Sequence, residues 1–147
     1  MTEKIEQVEF MPRLLPEAGD LDMSNIITAY PSFTYKLDRK KGRIHGYIDN
    51  MEAICQAVYK LLDTPCGVYP IYSPNYGLFL LDLKGLDHDF ATSEIKRRIS
   101  ENALVDDRLA AVEDFNFSGE GADLTVSFRI ISRDGHSAAI ERRLYDL

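Results

Sequence analysis

No run of about 18 apolar residues occurs in the 147-residue chain, so no segment reads as a membrane-crossing helix. The opening Met1-Thr2-Glu3-Lys4-Ile5-Glu6-Gln7 is polar where a secretory signal is basic and then apolar, and a protein made and kept in the cytosol is expected. Basic charge is also scarce: 17 Lys+Arg against 24 Asp+Glu leave −7, which opposes attraction to phosphate. Neither nucleic acid nor an anionic membrane is expected as a partner. The two cysteines, Cys55 and Cys66, are not a C-x-x-C pair and are expected as free thiols, with Cys55 packed as a small hydrophobe.

Other chemistry is missing as well. His45, His88 and His136 stand apart, and Asp87-His88-Asp89 lacks the i,i+4 spacing that aligns metal ligands on a helix. No serine sits in a G-x-S-x-G elbow, and Gly119-Glu120-Gly121 lacks the helix and lysine of a phosphate loop. Glu113-Asp114 and Asp106-Asp107 are the candidates for a glycosidase carboxylate pair. Adjacent residues of a strand face opposite sides of a sheet, so Glu113 and Asp114 are not expected to converge. No metal, cofactor or catalytic residue is implied, and the protein is expected not to be an enzyme.

What is present reads as one domain. Residues 1–30 carry Pro12, Pro16 and Gly19 among scattered apolar residues and read as an extended arm before a domain over 31–147. Phe33, Tyr35 and Leu37 alternate with Thr34 and Lys36, and Ile44, Gly46 and Ile48 share the next face, a hairpin closed by Asp38-Arg39-Lys40-Lys41-Gly42. The basic run in that turn is read as solvated. Asp49 and Glu52 have the spacing of a capping box, opening a helix whose stripe is Met51, Ile54, Cys55, Val58, Leu61 and Leu62, ended by Pro65 and Gly67. Residues 68–83 are expected to be irregular with one short strand. Asp87 or Asp89 caps a second helix to about residue 104, with Phe90, Ile95, Ile99 and Ala103 inward and Glu94–Arg98 and Arg97–Glu101 paired outside.

A strand over 109–117 follows, with Leu109, Ala111, Phe115 and Phe117 in register, and then Leu124, Val126, Phe128 and Ile130 alternate with polar residues. Ile140 to Leu144 form a short last strand. The order ββαβαβββ predicts a compact α+β domain, two helices packed on one face of a mainly antiparallel sheet.

From Ile54 onward the chain resembles the baseplate wedge and sheath-initiator family of contractile phage tails, type VI secretion baseplates and tail-like bacteriocins. The resemblance rests on Leu61-Leu62-Asp63-Thr64-Pro65-Cys66-Gly67, which agrees with a Leu-Leu-x-Thr-x-x-Gly helix end, and on Tyr76-Gly77 followed by Leu80 and Leu83. Asp106-Asp107-Arg108 stands where the family carries Glu-Pro-Arg, so only the arginine is kept. Phe33-Thr34-Tyr35-Lys36-Leu37, Gly42-Arg43-Ile44 and Gly46-Tyr47-Ile48-Asp49 resemble the branch of Gram-positive myophages, defective prophages and bacteriocins. The resemblance spans about residues 31–131.

It implies structural work: docking onto other baseplate wedge proteins around the tail hub and templating the first ring of tail sheath protein, with hub or tube proteins as further neighbours. The expected location is the host cytoplasm during assembly and then the baseplate of a phage tail or tail-like particle. Arg108, with Asp106 and Asp107, is the expected wedge-docking corner. Leu124, Val126, Phe128, Ile130, Ile140 and Leu144 mark the strands expected to meet the sheath, because a bare sheet edge offers unpaired N–H and C=O groups. Proline at Ile140 is expected to remove an edge donor while sparing the fold. A muramidase-like glycoside hydrolase and a cytosolic adaptor binding by strand addition remain the alternatives.

Overall fold

A computed structural model describes residues 31–119 and 123–144; the proposed arm, residues 1–30, lies outside them. Strand β1 (Thr34–Asp38) and strand β2 (Arg43–Ile48) form an antiparallel hairpin. Its turn is tied by the Asp38 carboxylate, which accepts the N–H groups of Lys40 and Lys41 at 3.1 Å each. Leu37 faces Ile44 while Tyr35 faces Tyr47, so β2 holds one residue more than β1 across that step. Gly46, at φ 66°, takes the left-handed conformation this bulge requires. Ile44 and Ile48 therefore do not share a face, contrary to plain alternation: Ile48 is 5% exposed and Ile44 66%.

Helix α1 (Asn50–Asp63) starts at Asp49, whose carboxylate accepts the Asn50 N–H at 2.7 Å. The expected capping box does not form: Asp49 caps through the Asn50 N–H alone, and Glu52 instead accepts from Lys36 of β1 at 2.7 Å. Ile54, Val58, Leu61 and Leu62 are buried as their spacing requires, with Met51 and Cys55 packed at the margin. Both cysteines are free, and burial raises the Cys55 thiol pKa. Thr64 closes the helix, its hydroxyl donating to the Lys60 carbonyl at 2.6 Å.

The strand expected between the helices does not form. Residues 64–83 make a loop whose neck is clasped by Cys66 N–H to Leu78 O at 3.0 Å and Leu78 N–H to Thr64 O at 2.9 Å, followed by a 3-10 turn over Leu81–Leu83. Pro70 and Pro74 have no N–H to give a ladder. Gly77, at φ 98°, passes so close to the Thr64 carbonyl that a Cβ would collide with it. The element order is thus ββααβββ.

Helix α2 (His88–Ala103) is capped by Asp87, which accepts from Asp89 and Phe90 N–H at 3.1 and 3.4 Å. Ile95, Ile99 and Ala103 are buried, but Phe90 is 58% exposed. Five residues separate Phe90 from Ile95, well off a helical face, and Ala91, four before Ile95, takes the inward place. Outside, Glu94–Arg98 and Arg97–Glu101 pair at 2.8 and 2.6 Å.

Strands β3 (Leu109–Ser118), β4 (Thr125–Ser132) and β5 (Ser137–Arg143) form a second antiparallel sheet, order β3-β4-β5. Both helices lie on its inner face, α1 against β5 and α2 against β3, around Ile95, Ile99, Val126, Phe128, Ile130 and Ile140. The domain is α+β with two antiparallel sheets, where plain patterning joins the hairpin and the later strands in one. Register shifts after Leu109 and after Glu113 bend β3, so Val112 replaces Ala111 in the row packed against the core with Phe115 and Phe117.

Candidate functional site

Three strands leave the larger sheet with two outer strands, β3 and β5, and the pairing of β4 with β5 fixes which groups of β5 point away. Leu144 N–H donates to Leu124 O, and Ser132 N–H to His136 O, at 2.8 Å each. Register is unbroken between these bonds, with Phe128 opposite Ile140 and Ile130 opposite Ala138. Hydrogen-bonded pairs alternate along an antiparallel ladder, so the even-numbered residues of β5 turn their backbone groups toward β4. Ala139 and Glu141 turn theirs outward, where no strand pairs with β5 among the described residues.

The side chains follow the same alternation. Ile140 and Leu144 are buried and Ala138 packs against the core, joined from β4 by Val126, Phe128 and Ile130 and from the segment before it by Leu124. These sheath-strand candidates form one apolar face under the helices, and what they leave outside is backbone. Ile140 is therefore the wrong place for an edge-specific proline: its N–H serves Phe128, and its side chain is 1% exposed. Beside the last residues of β5 runs a groove of about 420 Å³, lined by Leu62, Pro65, Leu78, Leu80 and Leu144 with Arg142 at its rim.

The second candidate is the corner between α2 and β3. Arg108 lays its fork on Asp106, Nε to Oδ1 at 2.8 Å and Nη2 to Oδ2 at 2.6 Å. The pair holds the Asp106 carboxyl below its ordinary pKa and the guanidinium above its own, with hydrogen bonding the leading cause in both. The corner backbone is fixed by Leu109 N–H to Asp106 O and Arg133 N–H to Arg108 O, both 3.0 Å. Asp107 is exposed and bonds neither, while Leu104 and Val105 beside it are exposed apolar residues, Val105 at 80%.

Glu113 and Asp114 converge after all. Asp114 sits at φ 55° in the bulge of β3, so both carboxylates reach one guanidinium, Arg129 Nη2 lying 2.6 Å from Asp114 and 3.6 Å from Glu113. Both side chains are exposed and share one arginine on the surface of the sheet, where a glycosidase pair would flank a cleft. Among the described residues no three His, Cys, Asp or Glu are grouped to hold a metal, and no helix is long and apolar enough to cross a membrane.

Two residues escaped sequence reasoning. Gln56 of α1 acts as a substitute strand, its Oε1 accepting Leu37 N–H at 2.8 Å and its Nε2 donating to Tyr35 O at 2.9 Å, which closes the outer edge of β1. Asp63, at the end of α1, bonds Arg39 of the hairpin turn and Arg142 of β5, the latter at 2.6 Å. A lone polar residue on a helix carries no sequence signal for either role.

Comparison with known proteins agrees with the residues quoted at the outset. A family model described as contractile injection system sheath initiator matches residues 33–135. Phage-like element PBSX protein XkdS of Bacillus subtilis (strain 168) is 40% identical over 109 residues, 71% of this chain and 77% of the relative.

Proposed function

Because this chain belongs to the contractile injection system sheath initiator family, a family of structural tail components, we propose that it docks among baseplate wedge proteins and starts sheath assembly from the outer edge of β5. The observation that carries this reading is the outward backbone of Ala139 and Glu141, backed by a face already full of its own side chains. An incoming strand then gains main-chain hydrogen bonds without disturbing the core. Growth from a preformed edge avoids the slow pairing of free subunits, and the groove beside Leu144 can take an apolar side chain of the arriving segment.

Proline variants test this directly. Glu141→Pro removes an outward donor and is expected to leave folding intact while sheath fails to assemble on baseplates containing it, because proline is tolerated where the N–H faces solvent. Normal sheath on Glu141→Pro baseplates moves the template elsewhere. Ile140→Pro, by contrast, is expected to unfold the domain, since it breaks a ladder bond to β4 and removes a buried core side chain.

Arg108 is the proposed wedge contact. Asp106 holds two of its nitrogens and so fixes the orientation of the guanidinium at a corner whose preceding residues, Leu104 and Val105, are exposed. Arg108→Lys keeps the charge but not the planar fork. The expected result is a folded protein lost from co-purified wedge complexes; wild-type yield there removes Arg108 from the interface. The same reading assigns no hydrolase activity and no cofactor, with assembly in the host cytoplasm before incorporation into the tail.

A further inference from the structure

The hairpin carries charge of the wrong sign for its protein. Within residues 33–48, Lys36, Arg39, Lys40, Lys41 and Arg43 stand against Asp38 alone, a balance of +4 in a chain of net −7. Among the described residues Lys40, Lys41 and Arg43 make no ion pair, whereas Lys36 and Arg39 are engaged by Glu52 and Asp63. Above this charge lies an aromatic face. Phe33 stacks on Tyr47 with ring centroids 5.0 Å apart, and Tyr35 leans on Tyr47 at 5.1 Å, all three exposed, with Ile44 exposed beside them.

One edge of this hairpin is open. Tyr35 and Leu37 direct backbone groups to Gln56, away from β2, so their partners Tyr47 and Ile44 direct theirs away from β1. No strand pairs with β2 on that side among the described residues. An occupant must be acidic, extended and partly apolar. The chain's own residues 1–30 match: Glu3, Glu6, Glu9, Glu17, Asp20 and Asp22 against Lys4 and Arg13 leave −4, opposite and equal to the hairpin. They join the described chain two residues before Phe33. Within them Asp20-Leu21-Asp22-Met23 alternates acid and apolar as an added strand would. The eight residues 25–32 span up to about 26 Å when extended, ample for the roughly 10 Å from β1 to a strand beyond β2.

We propose that the segment around residues 20–24 pairs with the open edge of β2, covering the aromatic face with Leu21 and Met23 and setting its acids against the Lys40, Lys41 and Arg43 charges. This docking site is separate from β5 and Arg108 and stands whether or not they act as proposed. It makes the hairpin a three-stranded sheet closed at both edges, by Gln56 on one side and the chain's own N-terminal segment on the other.

Residue-resolved amide exchange on the full-length protein tests it. At low salt the Ile44 and Tyr47 N–H groups are expected to exchange about tenfold or more slowly than in the full-length Lys40→Glu/Lys41→Glu/Arg43→Glu variant. Added salt speeds exchange in the wild type. Asp20→Lys/Asp22→Lys alone, which alters only the docking segment, is expected to speed the same two amides, and combining it with the hairpin reversals restores their slow exchange. Equal rates in all four proteins overturn the proposal. Protection that rises with protein concentration overturns it in favour of a second copy, and protection seen only with added baseplate proteins or an oligonucleotide overturns it in favour of an outside partner.

Discussion

The hairpin and the three-stranded sheet are written in the same alphabet and end in opposite environments. Phe33 and Tyr35 alternate with polar residues as cleanly as Val126 and Phe128 do. Yet Phe33 is 66% exposed and Phe128 is 2% exposed. The difference lies in what covers each face. Two helices lie on the larger sheet, whereas the hairpin meets the single helix α1 along the outer edge of β1 and its other face, mostly by polar contacts: Gln56 on the β1 backbone, Lys36 on Glu52, Arg39 on Asp63 and over the Tyr59 ring at 5.2 Å. Alternation establishes that a strand has two faces, and neighbours in space decide which of them is dry.

Paired truncations break the comparison most sharply. Phe128→Ala is expected to cost about 3–5 kcal/mol as a large core ring is deleted, while Phe33→Ala costs under about 1 kcal/mol. Thermal or denaturant unfolding of both reads the contrast, and equal losses show that the hairpin face is covered as tightly as the core. A smaller effect is expected at the helix that carries the hairpin. Gln56→Ala leaves Leu37 N–H and Tyr35 O without their partner, a loss of about 1–2 kcal/mol, and speeds exchange in β1 and β2 while β4 keeps its protection. If β4 loosens in step, the two sheets unfold as one unit and the hairpin is not separately held.

Acid gives the gentlest test, and it acts on the helix layer over the larger sheet. Hydrogen bonds from Arg97, then from Arg98, draw the Glu94 carboxyl from 4.5 down to about 2, and Arg108 lowers Asp106 in the same direction. A pKa depressed by folding adds stability at any pH above the unfolded value, and that stability drains away as pH falls through the folded value. For Glu94 the window is therefore about pH 4.5 to 2. Both ion pairs lie at the partly exposed surface of the domain, so the contribution is modest. Unfolding midpoints measured through that window are expected to fall less steeply in Glu94→Gln than in the wild type, and identical slopes locate the acid sensitivity elsewhere.

Much of the domain was legible before any coordinates. Both helices, the caps Asp49 and Asp87, the hairpin turn and the alternation of β4 follow from spacing and local hydrogen bonding, which need only a few neighbouring residues. Phe90, Ala111 and the short strand expected within 68–83 misled for separate reasons. Phe90 lies off the helical stripe, a bulge moves Ala111 out of its row, and prolines with Gly77 deny the loop a ladder. Glu113 and Asp114 meet at Arg129 because a bulge suspends the rule that neighbours face apart. The candidate surfaces were legible as residue names and not as geometry: Ile140 belongs to the right strand, but its N–H points the wrong way for an open edge.

The sequence by itself determined the class of the domain, the two helices with their buried stripes, and through its motifs the family to which it belongs. Those depend on periodicity and local order, properties of the chain read one turn or one strand at a time. Tertiary structure alone decided that the strands divide into two sheets, that Gln56 seals one edge while Ala139 and Glu141 leave another bare, and that Arg108 rests on Asp106. Each of those outcomes depends on register or on groups distant along the chain, and a shift of one residue, as at Gly46 or Asp114, reverses which side of a strand a side chain occupies.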